Sequence, residues 1–216
     1  MLGSIYTKAG IRARASVCVL ATAFLLAPGG AVAAQSAGQS GSAMRDPREF
    51  IQNLSSRVFA LMQDRSTSEA ERRRALRAML TDNFALQQIG DRLIRRHRTN
   101  ITPAQYAAYR ATLPGFVVGS YADRLEAYQN AELNVVRTLP RGGEGDADVF
   151  ARVIQPGKRP IETVWAVRQV GGRPLITNLT VSGINLAVVQ EDDFNAKIQR
   201  DGFDALVAFM RGSQTR

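Results

Sequence analysis

Cysteine and histidine are almost absent from this chain of 216 residues, which contains one of each, Cys18 and His97. A single cysteine excludes a disulfide within the chain. A single imidazole without neighbouring cysteines cannot form a conventional zinc site, and no base is paired with a nucleophile. The sequence therefore predicts no catalytic residue, no metal site and no cofactor. The acidic residues that an acid-base mechanism would need fall instead in turns and on helix faces: Glu144, Asp146, Asp148, Glu191, Asp192 and Asp193.

The chain also lacks an apolar run long enough to span a membrane. Its apolar stretch at residues 17–26 is about half of the roughly 20 residues that such a helix needs. Three basic residues and no acidic one precede this stretch, and Ala31-Val32-Ala33 after it is a small-x-small cleavage sequence. We therefore expect residues 1–33 to be a cleaved signal peptide, and the mature protein to be exported.

Acidic residues are fewer than basic ones, 19 against 28. Three of the basic residues lie in the signal segment, so the remainder carries a formal charge of +6 rather than +9. Export argues against nucleic acid as a partner. A basic surface near anionic lipid gains about 1 kcal/mol per Lys or Arg, and transient contact with a membrane surface is one reading of this excess. The other interpretation of the basic excess is an ordinary solvated surface.

Domain organisation follows from the composition along the chain. Residues 34–45 are mainly Ser, Gly, Ala and Gln without periodicity, which predicts a flexible linker. Residues 46–212 are enough for one domain that buries a core without disulfides, and residues 213–216 form a tail.

Apolar residues at helical spacing predict four helices in the first half of the domain. Asp46-Pro47 starts the first, which ends near Gln63, and a capping box of Ser68 and Glu71 starts the second. Asp82 is the predicted cap of the third. Thr102-Pro103 starts a long fourth helix, in which Pro114-Gly115 predicts a kink or a break.

A basic cluster, Arg95-Arg96-His97-Arg98, follows the third predicted helix. Positive charge at a helix C-terminus offsets the helix dipole, which is the structural interpretation of the cluster. Phosphate binding is the alternative.

After Asn130 the spacing becomes alternating, which predicts four antiparallel strands with turns at residues 155–160 and Gly171-Gly172. The helical pattern returns at Asp192 or Asp193, stops at Asp201-Gly202, and is followed by a last short helix. The predicted fold is α+β: N-terminal helices packed on a four-stranded antiparallel sheet and closed by two C-terminal helices.

Three segments carry a resemblance to a known family: GSYADRLEAY at residues 119–128, the W-x-V-R sequence that begins at Trp165, and residues 181–210. Together they resemble the MlaC-type periplasmic lipid carriers, the toluene-tolerance auxiliary family. The chain differs from the common pattern by neutral residues at Val164, Asn178 and Ser182, so the hopanoid-associated HpnM branch is a second candidate within the resemblance.

The resemblance implies a periplasmic, monomeric carrier without catalysis, whose curved sheet and helices enclose an apolar pocket. Such a carrier shuttles phospholipid, or a hopanoid-type lipid, between an outer-membrane lipoprotein complex and an inner-membrane ABC transporter with an MCE-domain subunit.

Candidate pocket residues are apolar side chains of the long helix and the strands, each of which could equally be ordinary core: Phe116, Tyr121, Leu125, Tyr128, Val135, Val149, Trp165, Val167, Leu179 and Val181. Two other functions stay open: a periplasmic adaptor with a filled core and no ligand, and a small-molecule enzyme on a cone-shaped α+β fold.

Overall fold

Four helices precede a sheet in the computed structural model, which describes residues 46–126, 128 and 130–213, without the side chains of residues 118 and 121–126. The helices are α1 (Pro47–Gln63), α2 (Glu69–Asn83), α3 (Leu86–Leu93) and α4 (Pro103–Glu126). The predicted signal segment, the linker before Asp46 and the last three residues of the tail lie outside the described residues.

Local capping sets the starts of three of these helices, as predicted. The Asp46 carboxylate accepts a hydrogen bond from the backbone N–H of Arg48 at 2.8 Å. Ser68 and Glu71 form a reciprocal capping box at the start of α2. Thr102 and Gln105 exchange equivalent bonds at the start of α4.

The start of α3 differs from the prediction. Asp82 lies in the last turn of α2, and α3 begins at Leu86 without a side-chain cap. The backbone between the helices instead joins the sheet, because Phe84 bridges Ile176 and the N–H of Ala85 donates to the Ile176 carbonyl at 2.9 Å. A long-range contact therefore replaces the local cap.

Of the kink or break predicted at Pro114-Gly115, the break does not occur, since α4 continues through both residues. Proline removes one backbone hydrogen bond from a helix interior. The neighbouring Leu113 and Phe116 are 2% and 5% exposed and pack in the helical core, so burial on both sides of the proline stabilises the continuous helix.

The sheet is an antiparallel meander in the order β1-β2-β3-β4-β5. Its strands are β1 (Glu132–Pro140), β2 (Ala147–Ile154), β3 (Ile161–Val170), β4 (Arg173–Val181) and β5 (Ile184–Asn185). The expectation of four strands was one short. Ser182 and Gly183 both have positive φ, 49° and 81°, which forms a two-residue hairpin and turns the chain back along β4.

Two helices close the described fold, α5 (Leu186–Asp201) and α6 (Phe203–Gly212). Helix α5 starts six residues before the predicted Asp192, because the Asn185 side chain accepts hydrogen bonds from the N–H groups of Ala187 and Val188. Gly202, with φ 84°, ends α5 as predicted.

Two bulges change which face the side chains take. Val136 is an extra residue in β1, since Val135 pairs with Ala151 while Arg137 pairs with Phe150. The shift leaves Val136 50% exposed and places Leu139 opposite Asp148, on the sheet face away from Val135. The second bulge inserts Thr177 into β4.

The buried residues form one cluster among α3 to α6, a second where α1 lies over the sheet, and a small third made of Met62 and Leu76 between α1 and α2. In the helical cluster the Tyr109 hydroxyl donates to the Gly90 carbonyl at 2.9 Å, and a Cβ at Gly90 would lie 2.5 Å from Leu113 Cδ2. Arg48 and Gln52 of α1 donate to backbone carbonyls of β1, which protects that edge of the sheet from pairing with another chain.

Candidate functional site

An apolar cavity of about 400 Å³ lies between the sheet and helices α1, α2 and α4. Most of its lining side chains are aliphatic or aromatic, and no charged residue is among those that the structure describes around it. A cavity of this composition disfavours ions and strongly polar solutes, because its few polar side chains, such as Asn178 and Gln190, replace little of their hydration.

Helices α1 and α2 contribute the wall opposite the sheet. The α1 residues are Ile51, Leu54, Val58 and Phe59, and the α2 residues are Leu76, Met79 and Leu80. Their spacing of three and four residues places each set on one helix face. The two apolar faces meet the cavity, while the arginines of α2 at positions 74 and 77 are exposed.

Strands β3 and β4 contribute the facing wall through two cross-strand pairs, Trp165 with Leu179 and Thr163 with Val181. The indole N–H of Trp165 donates to Thr163 Oγ1 at 3.0 Å, and that hydroxyl donates to the Ala151 carbonyl at 3.0 Å. Because these polar groups satisfy one another within the sheet, they require no polar partner from the cavity.

The ten candidate pocket residues divide into three groups. Phe116, Tyr128, Trp165, Leu179 and Val181 line the cavity. Val135, Val149 and Val167 do not; they are 8%, 0% and 0% exposed and fill the core beneath α1. The side chains of Tyr121 and Leu125 lie outside the described residues.

Sequence reasoning did not assign the α1 and α2 residues to the cavity. Apolar spacing predicted the helix that carries Leu76, Met79 and Leu80, but periodicity gives only the direction of a side chain. It does not distinguish a face that packs against a neighbour from one that borders a space.

The basic cluster after α3 has partners within the chain. Arg95 Nε lies 2.8 Å from Glu191 Oε1, and His97 Nε2 lies 2.9 Å from Asn195 Oδ1. The Arg98 guanidinium stacks 3.8 Å above the Tyr106 ring. Glu191 is 5% exposed, so its charge requires such a partner. The cluster attaches the turn after α3 to α5 and does not line the cavity.

Ionisable groups in the helical core are few. Burial raises the pKa of the Tyr109 hydroxyl far above its ordinary value, so this group stays neutral and acts as a hydrogen-bond donor. Within the described ranges, no group of three or more His, Cys, Asp or Glu side chains could hold a metal ion. No helix in the described part of the chain is long and apolar enough to cross a membrane.

Comparison with known proteins identifies the family. The family model described as MlaC protein matches residues 52–212, most of the chain and nearly all of the described domain. The chain belongs to the MlaC family. The resemblance at the family level is thereby confirmed, whereas its HpnM branch stays a prediction.

A solved structure is similar to this MlaC-family fold: a phospholipid-binding protein from Ralstonia solanacearum, in complex with a phospholipid. The TM-score is 0.67 at 17% sequence identity, and the match covers 79% of this chain and 97% of that one. At this identity the match establishes the fold. No curated protein sequence matches the chain. The family membership points to a protein that is not an enzyme.

Proposed function

We propose that this protein is a periplasmic lipid carrier that holds the hydrocarbon of a phospholipid in the apolar cavity. The observation that carries the proposal is the cavity of about 400 Å³ whose described lining has no charged side chain. Its volume is within the roughly 300–1,000 Å³ of small-molecule sites. Burying a chain of roughly 15 methylenes is worth ~12 kcal/mol at about 0.8 kcal/mol per methylene.

The wall chemistry favours a flexible hydrocarbon over a rigid polar ligand. Met79 and the leucines of α2 adapt their side chains to an irregular shape, and Trp165 offers a flat apolar ring whose N–H is already bonded. The similar R. solanacearum protein was solved with a phospholipid, which supports the same ligand class here. A hopanoid-type lipid is the alternative ligand.

In this proposal the protein works as a monomer that takes lipid from one membrane complex to another. The partners are an outer-membrane lipoprotein complex and an inner-membrane ABC transporter with an MCE-domain subunit. Membership of the MlaC family and the apolar stretch at residues 17–26, which fits an export signal, support this role.

The cavity also bears on the two alternatives. An adaptor with a filled core needs no space between α2 and β4, so the cavity favours the carrier. An enzyme needs an acid or base at the reacting atoms, and the described cavity wall has neither.

The test is lipid occupancy. Native mass spectrometry of the protein purified from an envelope fraction should show one bound lipid, and the delipidated protein should extract phosphatidylethanolamine from vesicles. Protein that is empty after this purification and that extracts no lipid would contradict the proposal.

A further inference from the structure

A second, polar groove of about 380 Å³ lies on the opposite face of the sheet from the apolar cavity, because Val164, Ala166 and Arg168 alternate along β3 with the cavity residues Thr163 and Trp165. Side chains of α3 and of the sheet line it, including Arg92, Asp148 and Arg168. The two spaces share three lining residues, Ile89, Thr177 and Asn178. A ligand long enough to pass these residues would have one end among hydrocarbon side chains and the other among polar ones.

The edge of β4 explains why the two spaces adjoin there. Ile176 pairs with Phe84, whereas Thr180 and Val181 pair with β5. The bulged residues between these two contacts, Thr177 and Asn178, border both spaces. The edge is covered above and below this point, and the bulge is where the polar groove meets the apolar cavity.

Positive charge predominates in the groove. Arg168 Nη2 lies 3.0 Å from Asp148 Oδ1, and Arg141 Nε lies 2.8 Å from Asp148 Oδ2, so the one carboxylate of the lining is paired with two arginines. Arg92 is exposed and forms no ion pair with any other described residue. An anionic group is therefore the ligand that this groove favours, and guanidinium groups bind phosphate oxygens well.

Asn178 provides a second polar requirement at the junction. Its side-chain Oδ1 is buried and has no hydrogen-bond partner among the described residues. An unsatisfied buried acceptor is destabilising, and a ligand hydroxyl or ammonium group would satisfy it. Arg168 is held by Asp148 and by the carbonyls of Ala147 and Val167, so the groove offers Arg92 to a phosphate and the Asn178 acceptor to a donor group beside it.

We propose that this polar groove binds the phosphate-ester head of an amphiphile whose hydrocarbon lies in the apolar cavity. The proposal rests on the lipid-carrier function and specifies it, because it assigns the head to the α3–β4 edge. A bound head would engage Arg92, and its hydroxyl or ammonium group would donate to Asn178.

The experiment compares three probes: a lysophosphatidylethanolamine, a monoacylglycerol with the same chain but no phosphate, and glycerol 3-phosphate with no chain. Trp165 is the only tryptophan and lines the cavity, so its fluorescence reports chain binding, while calorimetry measures all three probes. The variant is Arg92→Gln. Its matched control is Arg211→Gln, because Arg211 is also exposed in the last turn of a helix but is remote from the groove lining.

Loss of a charged hydrogen bond should weaken binding of the lysophospholipid to Arg92→Gln about tenfold. Binding of the monoacylglycerol should not change, Arg92→Lys should recover most of the affinity, and Arg211→Gln should bind both probes as the wild type does. A second variant, Asn178→Leu, should weaken both acyl probes, because each carries a hydroxyl that can donate to Asn178 Oδ1.

If each acyl probe binds Arg92→Gln as tightly as it binds the wild type, the head-group site is overturned. The carrier function would stay intact in that case. Glycerol 3-phosphate that binds as tightly as the lysophospholipid would also overturn the head-group site, since the groove would then take free phosphate esters. Failure of both acyl probes to bind the wild type would reject the carrier function itself.

Discussion

At the residue scale, Trp165 and Val167 show how neighbouring positions of one strand take different roles. Both side chains project from the same face of β3. Trp165 lines the cavity, whereas Val167 is fully buried in the core that α1 covers. Burial alone therefore does not identify a binding residue, because the element above each position decides whether space is left there.

This difference makes a prediction for large substitutions. Val167→Trp should overpack the core and lower the free energy of unfolding by about 1–3 kcal/mol or more. Leu179→Trp should cost much less, because its side chain enters the cavity, and it should reduce lipid occupancy. Denaturant unfolding and mass spectrometry of bound lipid measure the two effects.

The matched pair also tests whether the cavity is real. If Leu179→Trp destabilises the protein as much as Val167→Trp does, the space beside Leu179 is filled in solution. Full lipid occupancy in a stable Leu179→Trp protein would place the ligand elsewhere.

At the scale of elements, α1 serves the core and the cavity with one apolar stripe. Ile51 and Leu54 are buried in the core on the sheet and also border the cavity, and the partly buried Val58 and Phe59 continue both contacts along the helix. Arg48 and Gln52 meanwhile bond carbonyls of β1. One amphipathic helix thus covers an edge, fills a core and forms part of a binding wall.

The start of α2 gives a prediction about pH. Hydrogen bonds from the Ser68 hydroxyl and backbone N–H lower the pKa of Glu71 below its ordinary value of 4.5. The folded pKa is below the unfolded one, so this stabilisation is present above about pH 4.5 and is lost as the pH falls through the lowered value. The stability difference between wild type and Glu71→Gln should therefore shrink on acidification, as measured by urea unfolding across pH 3–6.

Asp82→Asn is the control for this prediction. Asp82 is in the last turn of the same helix, and its side chain makes no hydrogen bond or ion pair with the described residues. Its substitution removes a carboxylate from the same helix without removing a capping contact, so it controls for the general effect of the lost charge. A Glu71→Gln difference that stays constant down to pH 3 would show that the capping box is absent in solution.

At the scale of the whole molecule, binding and folding are coupled, because the cavity is enclosed by elements from both halves of the domain. A lipid that binds only the folded state should stabilise it by about 2.7 kcal/mol at a free concentration 100 times Kd. For a domain of this size that raises Tm by roughly 5–10 °C. Calorimetry of delipidated protein with and without lysophospholipid measures the shift, and an unchanged Tm at saturation would contradict binding to the native state.

Much of the fold could be predicted because its signals are local. The helix starts at Asp46-Pro47 and Thr102-Pro103 depend on a cap and a proline within a few residues, and the turn at Gly171-Gly172 on two residues that tolerate positive φ. The predictions that were wrong are the cap at Asp82, the number of strands and the start of the helix at Asp192. At Asp82 a contact with the distant Ile176 replaced the local cap, whereas β5 and the earlier helix start depend on local features, the Ser182-Gly183 hairpin and the Asn185 cap, that the apolar pattern did not reveal.

The candidate site was less predictable for a related reason. Sequence alone determined the inward direction of Trp165 and Leu179, since alternation fixes direction where no bulge intervenes. Only the tertiary structure decided that Val149 and Val167 join the core cluster to which Ile51 and Leu54 of α1 belong, and that a space is left beside Trp165. The distance between packed elements depends on all their side chains together, so a cavity has no local signature in the sequence.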